Sequence, residues 1–158
     1  MVVFRSEELD LELSFSYKVI HEFQKYRQTG SKLETGGMMF SSSVSSNIVE
    51  IDLISSASDL DISRRFGFIP NKRSAQAIID KNFENDFHYI GDWHTHPESC
   101  PSPSSQDLKT IKSLFIKSKH DLTFLVILIL CQSNNFKNSY VAFANERMVY
   151  KCKVKVSS

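Results

Sequence analysis

His94, Thr95 and His96 are followed by a proline-bearing loop, Ser104 and Asp107. On a β-strand, residues i and i+2 project from the same face, so His94 and His96 can present two imidazoles to one point. Asp107 falls early in the helix expected after the loop, which could fold that first turn back over the strand end. Two imidazoles and one carboxylate form a three-ligand set suited to catalytic zinc, with the fourth tetrahedral position left to water. A structural zinc site usually closes with four protein ligands, and three are visible here.

Each component also has an ordinary explanation. A His-x-His pair on its own is more often a polar strand face than a metal site. Ser104 and Asp107 match the Ser-x-x-Asp pattern that caps a helix N-terminus. Glu34, upstream in Glu34-Thr35-Gly36-Gly37, would alone be a surface carboxylate. What the five share is a setting among Gly and Pro turns rather than on amphipathic faces. Capping and ligation are compatible, because Ser104 can serve the helix end and the site together.

The elements that must position these residues follow from periodicity. Val19, Ile20, Phe23 and Tyr26 recur at helical spacing after Ser14 or Ser16, and Gly30 supplies a stop. Leu33 to Phe40 reads as a strand whose Gly36 and Gly37 let another group approach the backbone closely. Val49, Ile51 and Leu53 alternate with Glu50 and Asp52, a half-exposed strand, between Ser-rich turns at Ser41–Ser46 and Ser55–Ser58. A second helix fits Ser74 to Asn85, with Ala75, Ile78 and Ile79 on one face. His88 to His96 reads as a strand, and Trp93 then points away from the two histidines toward a core. A third helix is expected near Ser105 to Lys119, its apolar face being Leu108, Ile111, Leu114 and Phe115. Leu122 to Leu130 is a continuous apolar run, the mark of a buried central strand. Strands at Tyr140 to Ala144 and Met148 to Val156 complete the chain. The sum is a mixed α/β, or α+β, arrangement in a single domain spanning residues 1–158.

Composition narrows the function classes. The chain has 158 residues, 41% hydrophobic and 23% charged, and a formal net charge of +1, so length and composition suit one globular domain. The charge balance gives no electrostatic reason for a nucleic-acid or membrane partner. Acidic residues arrive by Glu7 and Glu8, too early for a signal peptide. The apolar run Phe124 to Cys131 is too short to span a bilayer as a helix, which takes about 20 residues. Cys100, Cys131 and Cys152 are sparse and unpaired in spacing, so reduced thiols and a cytoplasmic location are expected.

Other candidates are weaker. Cys100 has no base-and-orienter arrangement and reads as a loop thiol. His96-Pro97-Glu98 supplies the His-x-Glu half of a zinc deaminase signature, but the Pro-Cys-x-x-Cys half is missing, which excludes it. Asp92 either steadies a ligand histidine or is an exposed strand carboxylate. His21, His88 and His120 lack ligand spacing and are expected at the surface. Arg64-Arg65-Phe66 is either groove lining or a solvated loop.

His94-x-His96, seven intervening residues, Ser104, two more and Asp107, with Glu34 upstream, resembles the JAMM motif of the MPN-domain metalloproteases. The flanking text, Tyr89-Ile90-Gly91-Asp92-Trp93 before the motif and Pro101-Ser102-Pro103 within it, looks like the prokaryotic branch of that family. So does Arg64-Arg65-Phe66-Gly67-Phe68-Ile69-Pro70 leading into a helix with Gln76. The likeness runs from about Leu11 to Val154, and none of the five active positions departs from the pattern.

The resemblance implies an MPN-like fold, a curved mixed sheet flanked by about three helices, holding one Zn²⁺ on His94, His96 and Asp107. Glu34 would take the proton of the attacking water and return it to the leaving amine. Ser104 would donate to the developing oxyanion. The implied activity is that of a zinc-dependent isopeptidase acting after the C-terminus of a ubiquitin-like protein or conjugated tail. Ubiquitin-activating-like and conjugating-like proteins are the implied partners, including in anti-phage signalling. Processing of a ubiquitin-like or sulfur-carrier precursor fits the same site. An MPN scaffold that hydrolyses nothing is the rival, but scaffold members typically lose ligands that this chain keeps. His94-Thr95-His96 at a sheet edge would suit an extended tail, ending in Gly-Gly, bound by strand addition.

Overall fold

Val2–Ser6 (β1), whose side chains alternate between buried and half-buried, pairs with Leu11–Phe15 (β2) and folds the start of the chain into an antiparallel hairpin. The computed structural model describes residues 1–44, 46–117 and 122–156. The Ser16 hydroxyl accepts from the Val19 amide at 3.3 Å, capping Tyr17–Gln24 (α1), which buries Val19 and Phe23. Next come Gly36–Ser41 (β3), Ile48–Ile51 (β4), Leu53–Ile54 (β5) and a short hairpin of Ile62–Arg64 (β6) and Gly67–Ile69 (β7). Asn71 caps Lys72–Glu84 (α2), accepting from Ser74 at 3.0 Å. His88–Thr95 (β8), Ser105–Lys117 (α3), Leu125–Leu130 (β9), Tyr140–Ala144 (β10), Val149–Lys151 (β11) and Lys153–Val154 (β12) complete the order.

The strands form two open sheets and the β6–β7 hairpin. One sheet runs β12-β1-β2-β4 and the other β11-β10-β9-β8-β3-β5, each with one parallel pair, β2–β4 and β8–β9. With three helices, this is the mixed α/β architecture expected. Every residue of β9 is buried, which explains its unbroken apolar sequence. Val126, Leu128 and Leu130 join one apolar layer with Phe4, Phe15, Phe23, Trp93 and Phe136. Leu125, Ile127 and Ile129 join a second with Ile111 of α3. In the first layer the rings meet edge to face, Phe15 to Phe136 at 5.1 Å and Phe23 to Trp93 at 5.3 Å.

Several boundaries differ from the periodicity reading. α1 stops at Gln24, and Gly30 turns the chain further on with φ of 60°. β3 begins at Gly36, so Glu34 and Thr35 precede it. The strand expected over Met148 to Val156 is shared between the two sheets, because buried Cys152 separates β11 from β12. The hairpins β1–β2 and β6–β7 were not among the expected elements. His120, Ser45 and the last two residues of the third expected helix lie outside the described residues. Among the described residues no helix is long and apolar enough to cross a membrane.

β8 decides what the site can be. It lies between β3 and β9, so the histidines are not at a sheet edge and strand addition at His94-Thr95-His96 is excluded. Trp93 and Thr95 are 1% and 0% exposed on the core side, and the intervening His94 turns toward α3. The close approach expected at the glycines is real. A Cβ on Gly37 would run into the Ser55 carbonyl, to which the Trp93 indole donates at 2.9 Å. One on Gly36 would meet the Trp93 carbonyl and the Phe68 ring.

Gly37→Ala should therefore destabilise the fold by about 2 kcal/mol, the usual cost of forcing atoms into a packed site. Urea unfolding checks this, and an unchanged midpoint would show that β3 and Ser55 can separate freely.

Candidate metal centre

Three separate pieces of chain converge where β8 ends. β8 supplies His94 and, one residue beyond its end, His96. The first turn of α3 supplies Asp107, held by a reciprocal cap in which Ser104 N donates to Asp107 Oδ2 at 2.9 Å. Asp107 N donates in return to Ser104 Oγ at 3.0 Å. The cap and the site thus share the same two residues. Glu34 comes from the segment before β3, fixed by backbone bonds rather than by its side chain. Glu34 N donates to Arg64 O at 2.7 Å, and Thr95 N donates to Thr35 O at 2.9 Å.

The side chains meet closely. His94 Nε2 lies 3.3 Å from Asp107 Oδ1 and 4.0 Å from Glu34 Oε1, and His96 Nε2 lies 3.3 Å from Asp107 Oδ2. The two imidazole centroids are 5.0 Å apart. One ligand atom each from Glu34, His94 and His96 falls within 4.8 Å of the others. All five residues singled out in the sequence thus line one groove, with a volume near 1930 Å³. Its walls are α2, α3 and the β6–β7 hairpin.

The electrostatics of the cluster suit a cation. Burial pushes the Glu34 carboxyl up, against the pull of the two imidazoles. Burial acts on Asp107 the same way, but the two imidazoles of His94 and His96 facing it, with the Ser104 amide, win and hold it well below the usual carboxylate range. Burial draws His96 down, and the facing Asp107 carboxylate more than reverses this. His94 Nε2 is buried and makes no hydrogen bond, despite its 3.3 Å approach to Asp107. An unsatisfied buried nitrogen costs about 1–3 kcal/mol. A cation between Glu34, Asp107 and the two Nε2 atoms would remove that cost, and the nitrogen and oxygen donors suit a divalent metal ion. The residues fit the group.

The other sequence candidates sort cleanly. Asp92 is no exposed strand carboxylate: it accepts from the Tyr89 hydroxyl at 2.8 Å, and burial raises its pKa to about 6. Arg64 and Phe66 line the groove, and Arg65 stacks 5.7 Å over Phe66, so this segment is groove wall. Cys100 and His21 are exposed. His88 is half-buried against Phe83 at 5.6 Å and lines the groove, a departure from the surface position expected. Sequence reasoning missed Glu98, whose Oε1 lies 3.8 Å from His96 Nδ1, the second orphaned ring nitrogen. Its place in His96-Pro97-Glu98 was the available signal.

Comparison with known proteins is consistent with this geometry. A family description, prokaryotic homologs of the JAB domain, matches residues 16–148. A protein of Enterobacter hormaechei named CD-NTase/cGAS isopeptidase is 24% identical over 131 residues, covering 82% of this chain and 72% of its own. One of the same name from Escherichia coli is 31% identical over 108 residues, 66% of this chain and 69% of its own. A probable metalloprotease of Sinorhizobium fredii is 28% identical over 63% of each chain. The solution structure of protein DSY2949 from Desulfitobacterium hafniense shares the fold, with a TM-score of 0.67 at 15% identity over 89% of this chain and 90% of that one.

Chain purified without a metal-binding tag should carry about one metal ion, and the His94→Ala/His96→Ala double variant none, by elemental analysis. Equal metal content in the two would move the ion, if any, away from β8.

Proposed function

The chain belongs to the prokaryotic homologs of the JAB domain, and we propose that it is a zinc-dependent isopeptidase that releases a protein from a conjugated tail. The observation that carries this reading is the convergence of Glu34, His94, His96 and Asp107 at one end of a groove, with His94 Nε2 left unsatisfied between two carboxylates. Relatives named isopeptidase or metalloprotease support a hydrolase of this family.

In this reading His94, His96 and Asp107 hold Zn²⁺, which supplies Lewis acidity toward the scissile carbonyl and makes water easier to deprotonate. Glu34 is the base. Its carboxylate, already pushed toward higher pKa by burial, takes the proton of the attacking water and passes it to the leaving amine. Ser104 accepts from the Asp107 amide through its oxygen, so its own proton is left to bond the developing oxyanion. The groove supplies the walls that keep bulk water from the bond being cut.

A tail bound as an extended strand needs an exposed backbone edge, and β8 offers none. β7 does: it pairs with β6 alone, and among the described residues its second edge makes no backbone hydrogen bond. Phe68 of β7 packs beside Gly36, two residues past Glu34, which supports a tail running along β7 toward the base. The names of the relatives favour a conjugate of a CD-NTase or cGAS-like enzyme as substrate. This reading takes ubiquitin-activating-like and conjugating-like proteins as partners and the cytoplasm as the location. The whole chain serves as one catalytic domain.

Glu34→Ala should lower hydrolysis of an isopeptide-linked conjugate by about 10²–10⁴-fold, the usual worth of a positioned base, with zinc content unchanged. Parallel measurement of turnover and zinc decides the matter. Loss of both together would make Glu34 a ligand, and retained turnover would remove it from the chemistry.

A further inference from the structure

Gln28 lies between α1 and β3, far from any ligand in sequence, yet it is 1% exposed and fully bonded. A long amide is an expensive thing to bury, and it persists only where each of its polar atoms has a partner. Its Nε2 donates to Arg65 O at the tip of the β6–β7 hairpin, 2.9 Å away. Its Oε1 accepts from the Thr95 hydroxyl at 3.2 Å. Thr95 Oγ1 in turn accepts from Thr35 N at 3.0 Å. The loop closes through the backbone, since Glu34 N donates to Arg64 O at 2.7 Å.

This is a ring of hydrogen bonds joining the hairpin, the Glu34–Thr35 segment and the strand that carries both histidines. Thr95 sits between His94 and His96, while Thr35 follows Glu34 directly. Gln28 touches no reacting atom, and the amide is the one side chain of the ring that bridges hairpin and strand. Gln28 is among the largest fully buried side chains, so a variant that tests its amide must keep its shape.

Resting on the hydrolase reading, we infer that Gln28 is a positioning residue that sets where the Glu34 carboxylate and the β6–β7 wall stand relative to the histidines. Misplacement of a catalytic group by about 1 Å can cost about 10²-fold in rate, so a ring that fixes a base against its partner strand acts on turnover rather than on metal binding.

Two variants cut the ring at different points with little change of shape: Gln28→Met removes the amide, and Thr95→Val removes the hydroxyl. Zinc-loaded protein is examined by hydrogen exchange and by turnover of a Gly-Gly-ended peptide joined to a lysine side-chain amine. In both variants the amides of Glu34 and Thr35 should exchange about tenfold faster, with β9 and β10 amides unchanged. Turnover should fall by about tenfold or more, with KM altered less and zinc content retained. Thr95→Ser, which keeps the hydroxyl, should restore both. The double variant should be no worse than the poorer single one, because the ring acts as a unit.

Unchanged exchange at Glu34 and Thr35 would overturn the inference. So would faster exchange with wild-type turnover, or loss of zinc in Gln28→Met. Should zinc-loaded wild type cleave nothing offered, the hydrolase reading fails separately, and the exchange result alone then decides whether Gln28 holds this segment.

Discussion

The site depends first on the register of β8. That strand is bonded along both edges, antiparallel to β3 and parallel to β9, so it has no freedom to slide. Side chains alternate across a strand with period two, and a slip of one residue would exchange every core-facing group for its neighbour. Here such a slip would drive the imidazoles into a layer of phenyl rings and expose the indole of Trp93. The register is thereby protected by the whole hydrophobic core. The histidines inherit a precision that their own interactions could not provide. The Trp93 ring, packed against Phe23 and Tyr26 and bonded to Ser55, is as much a part of the metal end as the ligands beside it.

From that fixed strand the rest of the centre is assembled by bonds that serve two purposes. Ser104 and Asp107 cap α3 in the same contact that points the Asp107 carboxylate at the histidines. A helix cap is a geometric device, and its use here means that α3 cannot begin elsewhere without moving the Asp107 carboxylate. Glu34 is placed by its backbone, leaving both carboxylate oxygens for chemistry. The result brings two carboxylates against two imidazoles in a partly dry place. Coulomb repulsion and desolvation would make that arrangement costly without a positive charge at its centre. Ligand geometry and electrostatics therefore argue for the same occupant.

Much of this was legible in the sequence because its causes are local. The parity of His94, Trp93 and His96 follows from strand geometry, and Leu125–Leu130 announces a strand buried on both faces. Ser104 and Asp107 read as a cap in the sequence, and the structure forms that cap and sets both residues beside the histidines. What escaped was non-local. β6 and β7 have three residues each, none of them buried, so no periodicity marks them, although they form a wall of the groove. The change of sheet at Cys152 depends on which strands happen to lie nearby. The expectation of a sheet edge at His96 failed because pairing partners 30 or more residues away, on β3 and β9, close both sides. Gln28 carries no pattern at all, being a single polar residue in a connecting segment whose role exists only once three distant pieces meet.

These differences also suggest how such a fold divides its labour. β8 is paired along both edges and buries Ile90, Gly91, Trp93 and Thr95, whereas α2 buries no residue fully and the β6–β7 hairpin none either. Substitutions on the α2 and hairpin walls therefore cost little stability, so the groove they shape can change without disturbing β8. Rigidity where bonds are broken and tolerance where partners are chosen are usually competing demands. Here they fall on different elements of one chain, and these elements meet where the β6–β7 wall touches the Glu34 segment. The bond from Glu34 N to Arg64 O lies at that junction, and it joins the least buried part of the groove to one of its most buried side chains.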